Sequence, residues 1–439
     1  MAVQFHRPIS TLRYPTMSAA VVTKSSPVLV VGPPGGDDAV VHLTSSLDRS
    51  VVPFRVTVLL LFDRPIPQPA ETIRTALSEA LAHYRPVAGR LAADDGELLR
   101  IEGAAGVPFI AASARCALAD VAEPMLGGLA PWYPAGLCRH GDPLLLVQVT
   151  EFACGGFAVA ATWNHVLTDG EGIAQFLGAV GELAHGASPA PSVRPLRADD
   201  GSLPRLPQSM VAAQKQTLSC TFNRDFVLLD VTVPAGLIGR VRAEFDAAGL
   251  DDGKGKQPCT VFEAVAAVLW QCRTRAAVVS VSDEAPVALS FAANVRRLVG
   301  ARPGYYGNCV VMQSVTSTRG EVANGAVADV ARMIRRAKEG IPDLLAPSGG
   351  TAAEQGAMAL PYSTLVLSCW RNLGFEATDF GGGRPARVTW HGAETVVPGC
   401  VLCPPGKDGG KDGVSVMSLC VRPEHADAFL AELTTFQQI

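Results

Sequence analysis

The hydrophobic period of the chain changes within one short corner. Phe157 to Trp163 is an apolar run of strand length, and Glu171 to His185 carries Ile173, Phe176, Leu177, Val180 and Leu183 at the 3.6-residue spacing of an amphipathic helix. Between them stands Asn164-His165-Val166-Leu167-Thr168-Asp169-Gly170. An apolar strand that feeds directly into a helix calls for a layered α/β arrangement, with the helix packed back on a sheet. Such a corner exposes side chains at the edge of a sheet. Here it presents His165, with Asp169 four residues on and Gly170 and Gly172 leaving room beside them.

The alternation recurs on both sides of that corner. Pro53 to Phe62 reads as a strand, and Ala70 to Tyr84 as a helix with Ile73, Leu77, Leu81 and Tyr84 on one face. Asp94-Asp95-Gly96-Glu97 signals a tight turn between short strands. Leu144 to Thr150 and Phe157 to Trp163 form a hairpin around Ala153-Cys154-Gly155-Gly156, and Gly186 caps the 171–185 helix. From Ala187 to Pro207 the chain turns rich in Pro, Ser, Arg and Asp, as a crossover does. Beyond it, strands are predicted at Phe226 to Val233, Val287 to Ala293, Thr364 to Trp370 and Val414 to Val421. Helices are predicted at Ala326 to Lys338 and Glu424 to Phe436. Thr260-Val-Phe-Glu263 is a capping box whose helix turns Phe262, Val265, Leu269 and Trp270 inward. The pattern predicts an α/β fold with a mixed sheet in each half. A flexible extension covers 1–20, a first domain 21–186, a crossover linker 187–220 and a second domain 221–439, with 406–413 an exposed loop.

With 439 residues the chain can build two domains, each with its own core. A net charge of −4 supplies no basic field for nucleic acid or an anionic membrane. The eleven cysteines are an odd number, scattered mostly in apolar runs such as those holding Cys272, Cys309, Cys369 and Cys420, with no secretory signal. That usage points to reduced thiols and a cytoplasmic location. Cys400-Val-Leu-Cys403 is a lone CxxC, short of the four ligands a zinc site needs, so no metal is expected. No apolar run reaches transmembrane length. The acid-free segment before Asp37, with Arg7, Arg13 and Lys24, has a faint transit-peptide character. A flexible extension, with Met17 as a second start, accounts for it better.

Three constellations bear on chemistry. A neutral imidazole at His165 can take a proton from an alcohol or amine attacking a carbonyl, help worth roughly 10²–10⁴ in rate. Asp169 can orient that ring, as in a triad, or turn away and hold the corner through an arginine. Asn294-Val-Arg296-Arg297 and Gly304-Tyr-Tyr-Gly307-Asn308 place two arginines before a glycine-rich turn. They suit either a phosphate or a salt-bridged surface. Ser368-Cys369-Trp370-Arg371 precedes Thr378-Asp379-Phe380-Gly381-Gly382-Gly383, where the glycine run marks backbone under steric demand. It is neither a dinucleotide fingerprint nor a kinase motif, because the accompanying elements are missing.

Together these segments resemble the plant BAHD acyl-CoA-dependent acyltransferases, from about Val21 to the C-terminus. Tyr84-Arg-Pro-Val-Ala-Gly-Arg90-Leu91 resembles the family's YxPxAGRL segment, and His165 to Gly170 its HxxxDG motif. Asn294 to Arg297 with Tyr306-Gly-Asn308 resembles NxRxR…YFGN, and Asp379 to Gly383 resembles DFGWG. Gln148 to Gly156 and the Gln175-Phe-Leu run are most similar to the alcohol acetyl-, benzoyl- and taxane-type subgroup.

The resemblance implies two chloramphenicol-acetyltransferase-like domains with a solvent channel between them. His165 is the catalytic base there, and Asp169 and Arg296 a structural pair. Ser368 and Trp370 serve the oxyanion or the pocket, and Asn294, Arg297, Asp379 and Gly381 the CoA side. It further implies a monomer with no bound cofactor. Its partners are acyl-CoA as co-substrate and a small alcohol or amine acceptor, through a tetrahedral intermediate. Two positions depart from the pattern: Gly382 stands where the family has Trp, and Ser368 where the subgroup often has Thr. A Ser-His-Asp hydrolase is disfavoured by the absence of a GxSxG elbow. A non-catalytic binding member is disfavoured by the intact His165 and Asp169, though Gly382 leaves it open.

Overall fold

Strand Phe157–Asn164 is buried along its whole length, and two sheets are arranged around the corner that follows it. The structure is a computed structural model. It describes residues 22–438 apart from 35–40, 43–44, 94–98, 104, 122, 132–137, 187–188, 198–202, 204, 207, 209–210, 212–225, 248–256, 278–281, 346–361, 393–397 and 406–412. The turn expected at 94–97 falls outside the described residues, as does the loop at 406–413 except for Gly413.

The first sheet contains β1 (Val22–Lys24), β2 (Val28–Val30), β4 (Arg55–Phe62), β7 (Val107–Ala114), β8 (Leu145–Phe152), β9 (Phe157–Asn164) and β14 (Arg387–Trp390). They are ordered β1-β7-β8-β9-β4-β14, with β2 also on β7, and only β7 and β8 run parallel. A small sheet of β3 (Val41–His42), β5 (Arg90–Ala93) and β6 (Leu99–Glu102) sits apart. The other large sheet takes β10 (Leu229–Val233), β16 (Val414–Leu419), β15 (Gly399–Cys403), β13 (Thr364–Cys369), β11 (Pro286–Asn294) and β12 (Val310–Thr318), in that order. β13 runs parallel to both of its neighbours. Both large sheets are therefore mixed, and helices pack on each.

Helices Pro69–His83 and Gly170–Ala184 cover the first sheet, their apolar faces supplied by Ile73, Leu77, Leu81, Ile173, Phe176 and Val180. Each fully buried side chain of this kind contributes roughly 1.5–3 kcal/mol. Helix Val261–Ala277 forms the centre of the second core, against Val327–Glu339 and Pro423–Gln438. Its capping box is present: Thr260 Oγ1 accepts from Glu263 N at 3.2 Å, and Glu263 Oε2 accepts from Thr260 N at 2.8 Å. The cap of the 170–184 helix falls on His185, with Gly186 one residue beyond at φ +65°.

The polypeptide is not divided cleanly at the linker. β14, late in the second half, pairs antiparallel with β4 and forms an edge of the first sheet. Leu196, in the Pro-rich crossover, bridges to Tyr305. The two halves are thus stitched together on both sides of the corner at 165–170.

Candidate active site

The corner is built by Asn164. Its carbonyl accepts from Leu167 N at 2.9 Å and its Oδ1 from Val166 N at 3.1 Å, which folds the chain off the end of β9. Trp163 Nε1 donates to the Thr168 carbonyl at 3.0 Å and closes the turn from beneath. His165 N donates to the Phe54 carbonyl at 2.8 Å, and the Phe54 ring stacks on the imidazole at 4.8 Å. Gly170 and Gly172 leave no room for a ligand, because the space beside them is filled by the protein itself. A Cβ at Gly170 would lie 2.8 Å from Leu373 Cδ1, and one at Gly172 would overlap Thr168 Oγ1 and the Tyr306 carbonyl. The first turn of the helix is therefore pressed against the second half of the chain.

Asp169 caps that helix through Oδ1, which accepts from Gly172 N at 3.1 Å. Both of its oxygens also face Arg296: Nη1 donates to Oδ2 at 2.7 Å and Nη2 to Oδ1 at 2.8 Å. Oδ2 further accepts from Cys309 N at 2.8 Å. The carboxylate is 2% exposed and fully engaged, so it holds the corner and has no free oxygen for the imidazole. Arg296 in turn donates through Nη2 to the Gly307 carbonyl at 2.7 Å. Asn294 Oδ1 accepts from Arg296 N at 3.0 Å and shapes the turn that carries the guanidinium, while Asn294 Nδ2 donates to Glu171.

His165 keeps partial solvent contact, but its Nδ1 is sealed inside the protein. Burial holds its pKa below the ordinary value, since desolvation penalises the cation. The nearby Asp169 charge opposes that shift without overcoming it. The shift favours the neutral ring, the form a proton acceptor requires.

A second buried ion pair clamps the same corner, and sequence reading missed it. Arg197 donates to both oxygens of Asp48, at 3.0 and 3.1 Å, with side-chain exposures of 3% and 1%. Arg197 also donates to the Leu167 carbonyl at 2.8 Å and the Val166 carbonyl at 3.0 Å. Asn308 joins them: its Nδ2 lies 3.1 Å from Asp48 Oδ1, 3.0 Å from the His165 carbonyl and 3.3 Å from the Val166 carbonyl. Asn308 lay in a segment already singled out. Asp48 and Arg197 carried no local signal, one in a short helix before β4 and the other in the linker.

The other predicted site residues fall into two groups. Ser368, half-buried, and Trp370, 5% exposed, sit at the end of β13, where Trp370 packs on Trp163 at 6.2 Å. Arg297 is exposed on the turn after β11. Trp370 and Asn294 join His165, Asp169 and Arg296 at the N-terminal end of the 170–184 helix, Trp370 beside Gly170 and Asn294 through Glu171. Asp379 and Gly381 lie at its other end, on the order of 20 Å away at the helical rise per residue. There Asp379 Oδ1 accepts from Gly381 N and Gly383 N, each at 2.8 Å, and lies 3.5 Å from His185 Nε2. Phe380 packs edge-on against Phe62 at 5.3 Å. This segment shapes the fold at a distance from the imidazole. Cys400 and Cys403 are buried on β15. Among the described residues no group of three His, Cys, Asp or Glu is placed to hold a metal ion.

Comparison with known proteins bears on the site as a whole. Residues 37–433 match the family described as the Transferase family. Acyl transferase 15 of Oryza sativa subsp. japonica is 40% identical, over 94% of this chain and 98% of that protein. A myricetin 3-O-glucosyl 1,2-rhamnoside 6'-O-caffeoyltransferase of Crocosmia x crocosmiiflora is 31% identical, over 94% of this chain and 99% of that protein. Among solved structures, vinorine synthase superposes with a TM-score of 0.72 at 19% identity, over 94% of this chain and 98% of that one. F. sporotrichioides TRI101, in complex with coenzyme A and T-2, superposes with a TM-score of 0.67 at 16% identity, over 90% of this chain and 98% of that one.

Proposed function

The chain belongs to the BAHD acyltransferases, and from that premise we propose that it moves an acyl group from acyl-CoA to the hydroxyl or amine of a plant specialised metabolite, with His165 as general base. His165 takes the acceptor proton as the acceptor oxygen or nitrogen attacks the thioester carbonyl. A tetrahedral intermediate forms with its oxyanion near Ser368 and Trp370. It collapses by breaking the C–S bond, and the departing thiolate recovers the proton from the imidazolium. No acyl-enzyme intervenes. Arg297, exposed beside the paired Arg296, supplies positive charge on the CoA side.

The observation that carries this reading is the division of labour at the corner. Asp169 is consumed by Arg296, while the imidazole is left neutral, partly accessible and stacked on Phe54. The structural relative captured with coenzyme A supports a CoA thioester as donor. The Crocosmia relative, named for caffeoyl transfer, supports a hydroxycinnamoyl donor over benzoyl or acetyl. The enzyme is read as a cytoplasmic monomer that uses no resident cofactor. Among the described residues no helix is long and apolar enough to cross a membrane.

Thiol release tests the reading. Purified protein is given acetyl-, benzoyl- and p-coumaroyl-CoA with a pooled panel of alcohols and amines. Release that depends on acceptor, and that His165→Ala lowers by ~10²–10⁴, is expected. Near-native turnover in folded His165→Ala would remove the general-base role.

A further inference from the structure

We propose that Asn308 is the positioning residue of this site: it holds His165 in the tautomer with the proton on Nδ1, leaving Nε2 as the base. The inference rests on the reading of His165 as the base and names the group that orients it. The HxxxD spacing offers Asp169 for that task, but both Asp169 oxygens are taken by Arg296, Gly172 N and Cys309 N.

Asn308 is fully buried, and the orientation of its amide is fixed by its surroundings. Three oxygens gather around Nδ2: Asp48 Oδ1 at 3.1 Å, the His165 carbonyl at 3.0 Å and the Val166 carbonyl at 3.3 Å. All three are acceptors, so the NH₂ group must point at them and the flipped amide is excluded. That leaves Asn308 Oδ1 on the opposite side, buried and with no hydrogen-bond partner among the described residues. His165 Nδ1 is in the same state, buried and without a hydrogen-bond partner among the described residues. A buried acceptor and a buried ring nitrogen left orphaned each carry an unrepaid desolvation penalty. A small turn of either side chain that pairs Nδ1–H with Oδ1 would satisfy both at once. The Asn308 amide and the ring's own backbone carbonyl both oppose the burial that lowers the imidazole pKa. Asn308 governs that second contact too, because Nδ2 holds the His165 carbonyl in place.

Asn308 is itself anchored. Its backbone N donates to Asp48 Oδ1 at 3.1 Å, and Asp48 is locked by Arg197. The chain of support runs from Arg197 through Asp48 and Asn308 to the imidazole, and each member except His165 is sealed from solvent. The proton on Nδ1 is thereby assigned by buried groups.

The test is nitrogen NMR on protein labelled with ¹⁵N-histidine, with His165→Ala to assign the resonance. At a pH where the ring is neutral, wild type is expected to show a protonated Nδ1 and a bare Nε2. Asn308→Ala is expected to populate the Nε2–H form and to lower kcat by ~10–100-fold, the scale of a misplaced catalytic group. Its KM for acyl-CoA should stay within about threefold of wild type, since CoA contacts are untouched. The acid limb of its pH–rate profile should move to lower pH, because an acceptor that favours the charged ring has been removed. A merely structural role would leave tautomer and pH profile unmoved. Wild type in the Nε2–H form, or a folded Asn308→Ala with an unchanged tautomer, would overturn the proposal. If the alanine variant does not fold, Asn308→Ser, with a smaller polar side chain, serves in its place, and the wild-type spectrum decides the sign without any variant. Turnover surviving in His165→Ala would strike the base role instead, a failure the nitrogen spectrum does not share.

Discussion

Asp169 and Arg296 face each other through two parallel hydrogen bonds of 2.7 and 2.8 Å, nearly out of contact with water. The pair joins the first turn after the His165 corner to the turn after β11, so it fastens the first sheet's corner to the second sheet. Both partners take further bonds, Asp169 from Gly172 N and Cys309 N and Arg296 to the Gly307 carbonyl. The pair is thus satisfied as a network, the condition under which a buried ion pair is tolerated.

Arg296→Ala strands the Asp169 carboxylate. Removing one partner of a buried pair costs about 3–5 kcal/mol, so the variant should unfold at markedly lower denaturant than wild type. Asp169→Asn should fall between them, because the amide keeps one acceptor. Denaturation midpoints within error of wild type for both variants would show that the pair does not bear on stability.

Arg197→Lys tests the second clamp. A lysine retains the charge but not the fork that reaches both Asp48 oxygens together with the Leu167 and Val166 carbonyls. Loss of about 1–3 kcal/mol is expected from the unmet carbonyls and carboxylate. Since those carbonyls flank His165, kcat at a temperature where the variant is fully folded should fall as well. Full kcat in folded Arg197→Lys would confine the clamp to stability.

How much of this was legible in the sequence follows from how local each signal is. The corner at 162–170 was readable because a strand period gives way to a helical one within the sequence itself. The capping box at Thr260 and Glu263 was readable for the same reason. Strand β7 was missed because Pro108 breaks its run, and in the sheet that proline lies opposite Leu29 of the short strand β2. Strand β14 was missed because nothing in Arg387–Trp390 reveals that its partner lies in the other half of the chain. Asp48 and Arg197 are separated by 149 residues, and no pattern in sequence marks an ion pair made by folding alone. The pairing of Asp169 with Arg296 was reached only through family resemblance, since spacing alone left Asp169 equally suited to orient the histidine.

Acid should weaken the fold through two buried histidines. Burial lowers the pKa of His165, and it pushes His391 down to about 4, helped by Arg55 and Lys24. Their unfolded values lie near 6.5, so the unfolded chain binds more protons as pH falls through that point. Stability contributed by neutral burial is therefore complete above about pH 6.5. For His391 it is lost progressively toward pH 4, a contribution on the order of 3 kcal/mol. Catalysis follows the same sign, since it needs the neutral ring: the rate should hold below the ordinary histidine range before it falls. A His391→Gln variant should flatten the stability slope between pH 6 and 4 and leave the pH–rate profile unchanged. An unaltered slope would remove His391 from the acid response.

Gly382 stands where the family has tryptophan, and the surroundings say what restoring the indole would meet. Gly381 and Gly383 on either side are left-handed, at φ +111° and +101°, while Gly382 itself is not. Its backbone accepts a side chain, but a Cβ would sit 3.0 Å from Ile66 Cγ2, 3.2 Å from the Arg64 carbonyl and 3.4 Å from the Pro65 carbonyl. The carbonyls belong to the chain that leaves β4 and cannot retreat cheaply, so the relief has to come from Ile66, which is 8% exposed. Gly382→Trp alone should lose about 1–3 kcal/mol through overpacking. Ile66→Ala alone should lose about 2–5 kcal/mol through the cavity it leaves. Together they should lose distinctly less than the sum, as the indole and the vacated space compensate, with a coupling of about 0.5–3 kcal/mol. Because Asp379 to Gly383 lies at the far end of the 170–184 helix from His165, kcat should stay near wild type in every folded member of the cycle. Additive losses would show that Ile66 is not what fills the place of the missing indole, and a kcat that fell with stability intact would tie this segment to turnover after all.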